Sequence, residues 1–244
     1  MTADNGEVED RDLEGYYDGI VTRLLTSGDV AAAVSAFAAP ARVADPAALP
    51  GLLWAAWDSV VAAAGGTDDT GRKRLVALVA GVKALGVVAA DVPLGRVFTD
   101  LPTLGASLRE SWNWFPDDPA SESIEWWTGL NAFAAQLTPD VLDLLLFGLW
   151  TIRDALETVD GWAAHLPAAV QWFKHCGDSL ASATVHGRTY GRPGLPGELA
   201  ERDGLADRGF SVARWTFWRS RMKSLSPEGF RYIKRFDARI AAAT

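Results

Sequence analysis

Arg153, Asp154 and Glu157 follow directly on the most apolar run of the chain, Val141 to Ile152, where only Asp143, Gly148 and Thr151 interrupt the hydrophobic residues. Charged groups entering so dry a neighbourhood have two uses. As structure, Arg153 pairs with Glu157 one helical turn on, and Asp154 bridges neighbouring helices. As chemistry, a guanidinium or carboxylate beside an apolar wall polarises a ligand carbonyl strongly, because low dielectric magnifies its field. His175 shares a helical face with Gln171 and Asp178, and belongs either to a solvated surface or to a site that needs a general acid or base. Arg153, Asp154 and His175 are therefore the catalytic candidates.

The chain holds 11 tryptophans, crowded into its second half. They fill a large helical core or wall a pocket, since indole offers a rigid apolar face with one N–H donor. Trp127, Trp150, Trp172, Trp215 and Trp218 are the candidate binding residues, together with Asn131. On a helical wheel Asn131 falls among Ile124, Trp127 and Ala134, an apolar setting in which an amide needs a partner.

Other chemistries find no support. The three histidines, at 165, 175 and 186, have no i, i+4 pairing or acidic companions at metal spacing, so no metal site is expected. Gly177-Asp178-Ser179-Leu180 spells a serine-esterase signature, but it falls late in the chain at a helix end. The downstream His186 has Ala183 three residues before it, where the esterase pattern needs aspartate. No phosphate-binding glycine loop and no dinucleotide fingerprint occurs, so no cofactor is expected.

The elements that position these residues all read as helices. Stripes at three- and four-residue spacing mark residues 12 to 26 (Leu13, Tyr17, Ile20, Leu24), ending near Gly28, and a short helix with Val30, Val34 and Phe37, stopped by Pro40. They mark a longer helix with Leu53, Trp57, Val60, Val61 and Ala64, ended by Gly65-Gly66, and residues 69 to 85 with Leu75, Leu78, Val79, Val82 and Leu85, ended by Gly86. Residues 87 to 100 read as a loop. Asp100-Leu101-Pro102 starts a helix with Leu104, Leu108 and Trp112, and Asp118-Pro119 caps the one that carries Trp127 and Asn131. Thr138-Pro139-Asp140 starts the apolar helix from Val141. His165-Leu166-Pro167 begins the helix of Trp172. Residues 183 to 209 hold six glycines and two prolines without periodicity. Such a loop is often a lid or disordered. Ser211 caps the helix of Trp215 and Trp218, with Phe210 as a staple onto Trp215, and Ser226 caps the last. The fold class is all-α: roughly ten helices in a single domain over residues 1–244, with residues 1–10 a frayed acidic start.

Composition narrows the partners. A net charge of −8 argues against nucleic acid, whose phosphates need clustered cations. Seven acids oppose Arg11 within residues 1–18, whereas eight Lys/Arg oppose two acids within residues 211–244, and the two regions can attract each other. One cysteine, Cys176, excludes an internal disulfide. The apolar run is too short for a membrane span of about 20 residues, and no signal peptide opens the chain, so the expectation is a soluble cytoplasmic protein without membrane insertion. Homo-oligomers stay open.

Four ordered blocks carry a resemblance: Trp127 to Leu137, Leu149 to Glu157, Pro167 to Trp172 with Gly177, and Arg214 to Arg221. They resemble the OpdG-like fungal family of unknown general function, and they are similar to the hetero-Diels-Alderases of tropolone sesquiterpenoid biosynthesis. The resemblance implies a cofactor-free pericyclase of fungal secondary metabolism. Such an enzyme joins a tropolone quinone methide to a terpene alkene between aromatic walls, holding both apolar small-molecule substrates in a near-attack pose. The alternative is a non-enzymatic helical small-molecule-binding or protein-interaction domain. A closed pocket favours the enzyme, and a filled core with an exposed groove favours the alternative.

Overall fold

The computed structural model describes residues 4–86, 95–114 and 121–242, with side chains from Asp12 onward. All regular structure among them is helical, and the nearest thing to a sheet is an isolated antiparallel bridge between Thr189 and Gly209. The expectations for residues 1–3, for most of the 87 to 100 loop and for the Asp118-Pro119 cap fall outside the described residues. The contacts divide the chain into two compact units, Met1–Phe115 and Pro116–Thr244.

The first unit contains α1 (Asp4–Ser27), α2 (Val30–Ala38), a 3-10 turn (Pro40–Arg42), α3 (Leu49–Gly66), α4 (Asp69–Ala84) and α5 (Leu104–Ser111). Most of the stripe residues form the core: Tyr17, Ile20 and Leu24 of α1, all five expected residues of α3, and Leu75, Leu78, Val79 and Val82 of α4 are buried, whereas Leu13 and Leu85 are half-buried. Tyr17, Phe37 and Trp57 form a row of rings with centroids 5.1 and 4.8 Å apart. Gly28 and Gly86 take positive φ and turn the chain after α1 and α4, as expected of helix-ending glycines. The start of α5 differs from expectation. Asp100 does not cap; its carboxylate accepts from the Arg96 backbone N–H (2.8 Å) and side chain (2.9 Å). Leu101 and Thr103 then adopt positive φ, so the helix begins only at Leu104.

The second unit contains α6 (Ser121–Leu137), α7 (Leu145–Leu156), α8 (Trp162–His175), α9 (Gly177–Val185), a 3-10 turn (Arg192–Gly194), α10 (Glu198–Arg202), α11 (Val212–Leu225), α12 (Pro227–Ile233), a further 3-10 turn (Lys234–Phe236) and α13 (Asp237–Ala241). Its central helix is α8, which packs against α6, α7, α9 and α12. The small Ala168 and Ala169, both fully buried, permit this crowding. No described helix is long and apolar enough to cross a membrane.

Two helix starts are corrected. Thr138-Pro139-Asp140 ends α6 instead of starting α7: the Thr138 hydroxyl donates back to the Ala134 carbonyl (2.7 Å), and the Val141 and Leu142 amides close onto the Leu137 carbonyl. The apolar helix begins at Leu145, whose amide donates to Asp143 (3.2 Å). Pro167 lies inside α8, which starts five residues earlier after Gly161 in the left-handed region. As the sixth residue of α8, Pro167 lies past the first turn and removes the backbone donor that would reach the Ala163 carbonyl.

Candidate functional site

The expected pocket residues converge, but on each other. Asn131 of α6 is fully buried, and its carbonyl oxygen accepts two hydrogen bonds, from the Thr151 hydroxyl of α7 (2.8 Å) and the Trp172 indole of α8 (2.8 Å). Its amide donates to the Trp127 carbonyl (2.9 Å). One amide thus joins three helices. Gly148 makes room for the Trp172 ring, because a Cβ there would stand 2.7 Å from Cε3.

A second buried network closes the other end of α7. Glu157 and Arg214 have no exposed side-chain surface, and their ion pair is bidentate, with Arg214 Nε 2.6 Å from Oε1 and an η nitrogen 3.0 Å from Oε2. The Trp218 indole donates to Oε1 (2.5 Å), and the Gly197 amide donates to Oε2 (2.6 Å). Arg214 also donates to the carbonyls of Gly194 (2.8 Å) and Gly209 (2.9 Å). The expected Arg153–Glu157 pair does not form. Arg153 pairs with its neighbour Asp154 at 3.0 Å, both part-exposed. Glu157 is committed to Arg214 because the N-terminal turn of α11 brings a stronger, two-pronged partner into a dry site.

Trp127, Trp172, Trp215 and Trp218 are each at most 2% exposed and belong to the core. Trp215 packs edge-on between Phe173 and Phe236, and Phe210 packs edge-on against Trp218. Trp150 is half-buried, and its indole donates to the Pro193 carbonyl (2.9 Å), holding a loop. His175 closes α8 and is half-buried, while the Asp178 expected beside it is exposed and lies 3.6 Å from Arg239. The four buried tryptophans are therefore packing, and the indole N–H groups of Trp172, Trp218 and Trp150 donate to Asn131, Glu157 and Pro193.

The 183 to 209 stretch is ordered by the same networks. It contains the end of α9, a 3-10 turn and α10, none of which has a stripe long enough to show periodicity. Tyr190 N–H donates to the Arg208 carbonyl and Phe210 N–H to the Arg188 carbonyl, both at 2.8 Å. Gly209 is required at this crossing, since a Cβ would stand 2.1 Å from the Arg188 carbonyl oxygen. Arg214 holds that same Gly209. A continuous series of contacts thus runs from Glu157 through Arg214 and Gly209 to the backbone of Arg188.

Arg188 borders an open groove of about 500 Å³, lined by Leu145, Ser179, Ser182, Ala183 and His186. Its guanidinium pairs with Asp143 (2.6 Å) and lies 5.0 Å over the Tyr190 ring. The Asp143 carboxylate raises the arginine's affinity for its proton further. His186 Nδ1 lies 2.8 Å from the Ser182 carbonyl, which only accepts, so Nδ1 carries a hydrogen and Nε2 is the ring nitrogen left to act as base. This bond points Nδ1 at Ser182 and not at Ser179, against esterase chemistry. Below the groove, burial pushes the Cys176 thiol up to about 12 despite hydrogen bonding from Ser179 and Thr138. Burial likewise raises the Tyr190 phenol to about 12.

Ser182 and His186 stand four residues apart on one face at the end of α9, but they escaped sequence reasoning because residues from 183 onward read as a loop, and Arg188 lies beyond the helix. Glu157 carried a signal: a carboxylate at the end of an apolar helix must find a cation.

Comparison with curated proteins and with solved structures found no match. The four family-like blocks acquire a physical meaning nonetheless, since they supply Asn131, Thr151 and Trp172 to one buried network and Glu157, Arg214 and Trp218 to the other. A family model spans residues 57–222 and includes all four blocks; the chain belongs to the family described as "Protein of unknown function (DUF3632)".

Proposed function

We propose that the groove beside His186 and Arg188 binds an apolar organic molecule through an oxygen atom. In its enzymatic form, the chain is a cofactor-free pericyclase of the hetero-Diels-Alder kind, in keeping with its OpdG-like resemblance. The observation that carries this reading is the arrangement of the groove: a guanidinium, a tautomer-fixed imidazole and the Ser179 and Ser182 hydroxyls beside Leu145 and Ala183. In such a reaction the heterodiene oxygen accepts a hydrogen bond from Arg188, which makes the diene more electrophilic. The alkene lies against the aliphatic surface. Where negative charge develops on an oxygen, one well-placed donor contributes about 3 kcal/mol, which sets the upper scale for Arg188 here. His186 Nε2 can take the ring-hydroxyl proton of a hydroxymethyl precursor and hand it to the departing hydroxyl, which leaves as water to give the quinone methide.

The second reading is a non-enzymatic binding or interaction domain, favoured by the filling of the core with tryptophan and by the openness of the groove. One experiment separates them. Purified protein is incubated with a tropolone quinone-methide precursor and a humulene-type alkene, and adduct yield and stereochemistry are compared with the protein-free control and with Arg188→Ala and His186→Ala. Enhanced, stereoselective product lost in both variants supports the enzyme. Saturable binding with product identical to the control supports the binding domain, and neither effect refutes both.

A further inference from the structure

The last helices carry cations that no carboxylate neutralises. Arg219 pairs with Asp237 (2.7 and 2.6 Å), and Arg239 lies 3.6 Å from Asp178. Lys223, Arg231, Lys234 and Arg235 are exposed, and among the described residues no carboxylate pairs with them. Arg231, Lys234 and Arg235 stand at i, i+3 and i+4, a spacing at which like charges face and repel each other. Aromatic rings hold them in place instead. The guanidinium groups of Arg231 and Arg235 lie 5.6 and 4.8 Å from the Tyr232 ring centroid, and Arg219 and Lys234 lie 5.1 and 5.9 Å from that of Phe230. Of the acids near them in sequence, Glu228 is exposed and forms no ion pair with them, and Asp237 is taken by Arg219. Side chains already fixed on rings lose little freedom when an anion arrives.

The chain also contains the complementary charge. Asp4, Glu7, Asp10 and Glu14 recur at spacings of three, three and four, and α1 is helical from Asp4. Asp12 and Glu14 are exposed. We infer that the Arg231–Lys234–Arg235 face docks residues 4–14 of a second copy of this chain. A short acidic helix matches the helical spacing of the cations.

Sedimentation velocity on the full chain tests this. Association is expected at low salt and loss of it at about 0.5 M salt, where screening reaches only a few ångströms. The variant R231E/K234E/R235E and the variant E7K/D10K/E14K, each checked for native circular dichroism, should associate about tenfold more weakly or worse. Mixed together, the two should associate again, because the reversed charges match. A monomeric wild type at low salt, association indifferent to either reversal, or failure of the mixture to associate overturns the proposal. So does a patch variant that loses binding to phosphatidylserine vesicles or to an oligonucleotide while self-association is unchanged.

Discussion

Glu157 and Arg214, 57 residues apart in the chain, face each other as a two-pronged ion pair with no solvent-exposed side-chain surface. The pair is also the anchor of the segment from Gly194 to Gly209, whose carbonyls and Gly197 amide, with the Trp218 indole, supply its remaining partners. Removing one partner leaves the other charge buried and alone. Arg214→Met or Glu157→Gln is expected to lower stability by roughly 3–5 kcal/mol in denaturant unfolding. The same variants should expose residues 188–209 to limited proteolysis at temperatures where the rest of the chain stays folded. A double change to Met and Leu should lose less than either single change, since no uncompensated charge remains.

Asn131 makes a different prediction, because it is neutral and joins three helices. Asn131→Leu strands the Trp172 indole, while the Thr151 hydroxyl keeps the Phe147 carbonyl (3.1 Å), and the expected loss is about 1–3 kcal/mol. Gly148→Ala attacks the same contact by volume and should also lose about 1–3 kcal/mol. Thermal unfolding measures both, and a near-ultraviolet spectrum should report the displaced Trp172 ring.

The groove residues should behave in the opposite way. Arg188 and Asp143 are partly exposed, so Arg188→Ala should change stability by no more than about 1 kcal/mol. Its effect belongs in ligand binding or turnover, where the loss of a charged donor is expected to weaken the process about tenfold to a hundredfold. Arg214→Lys, which removes the two-pronged geometry, should reduce turnover as well by loosening the Arg188 backbone. Restoration by a stabilising osmolyte would separate that positioning effect from the direct one of Arg188→Ala.

Alkaline pH tests the burial beneath the groove. The Cys176 thiol and Tyr190 phenol both rise to about 12 on folding, from ordinary values of 9.0 and 10.0. Folding therefore favours their protonated forms. Their contribution is complete below pH 9.0 and is lost progressively as pH climbs from there toward 12. Unfolding by denaturant at successive pH values should show this decline, and Cys176→Ala should make its onset shallower. Below that window the thiol should resist a thiol-reactive probe until the chain unfolds.

The helices of the first unit were legible because their stripes are long. Leu53, Trp57, Val60, Val61 and Ala64 repeat over three turns, and all five are buried. The starts of α5, α7 and α8 were not, because a Pro-containing cap signal has the same local chemistry whether it ends one helix or begins the next. Which it does depends on a partner: Arg96 took Asp100 away from capping, and the Ala134 carbonyl took the Thr138 hydroxyl. The tryptophans showed the same limit. Their number pointed to an aromatic interior, but the choice between wall and filling rested on Asn131 and Glu157 reaching them from other helices.

By itself the sequence determined the helical class, the stripes that become cores and the family to which residues 57–222 belong, because each depends on local spacing or on the order of residues. Tertiary structure decided what those residues do. Charge pairing acts through space, so only folding revealed that Glu157 answers to Arg214 and not to its helical neighbour Arg153. Only folding, likewise, carried Leu145, Ser182, His186 and Arg188 to the rim of one groove.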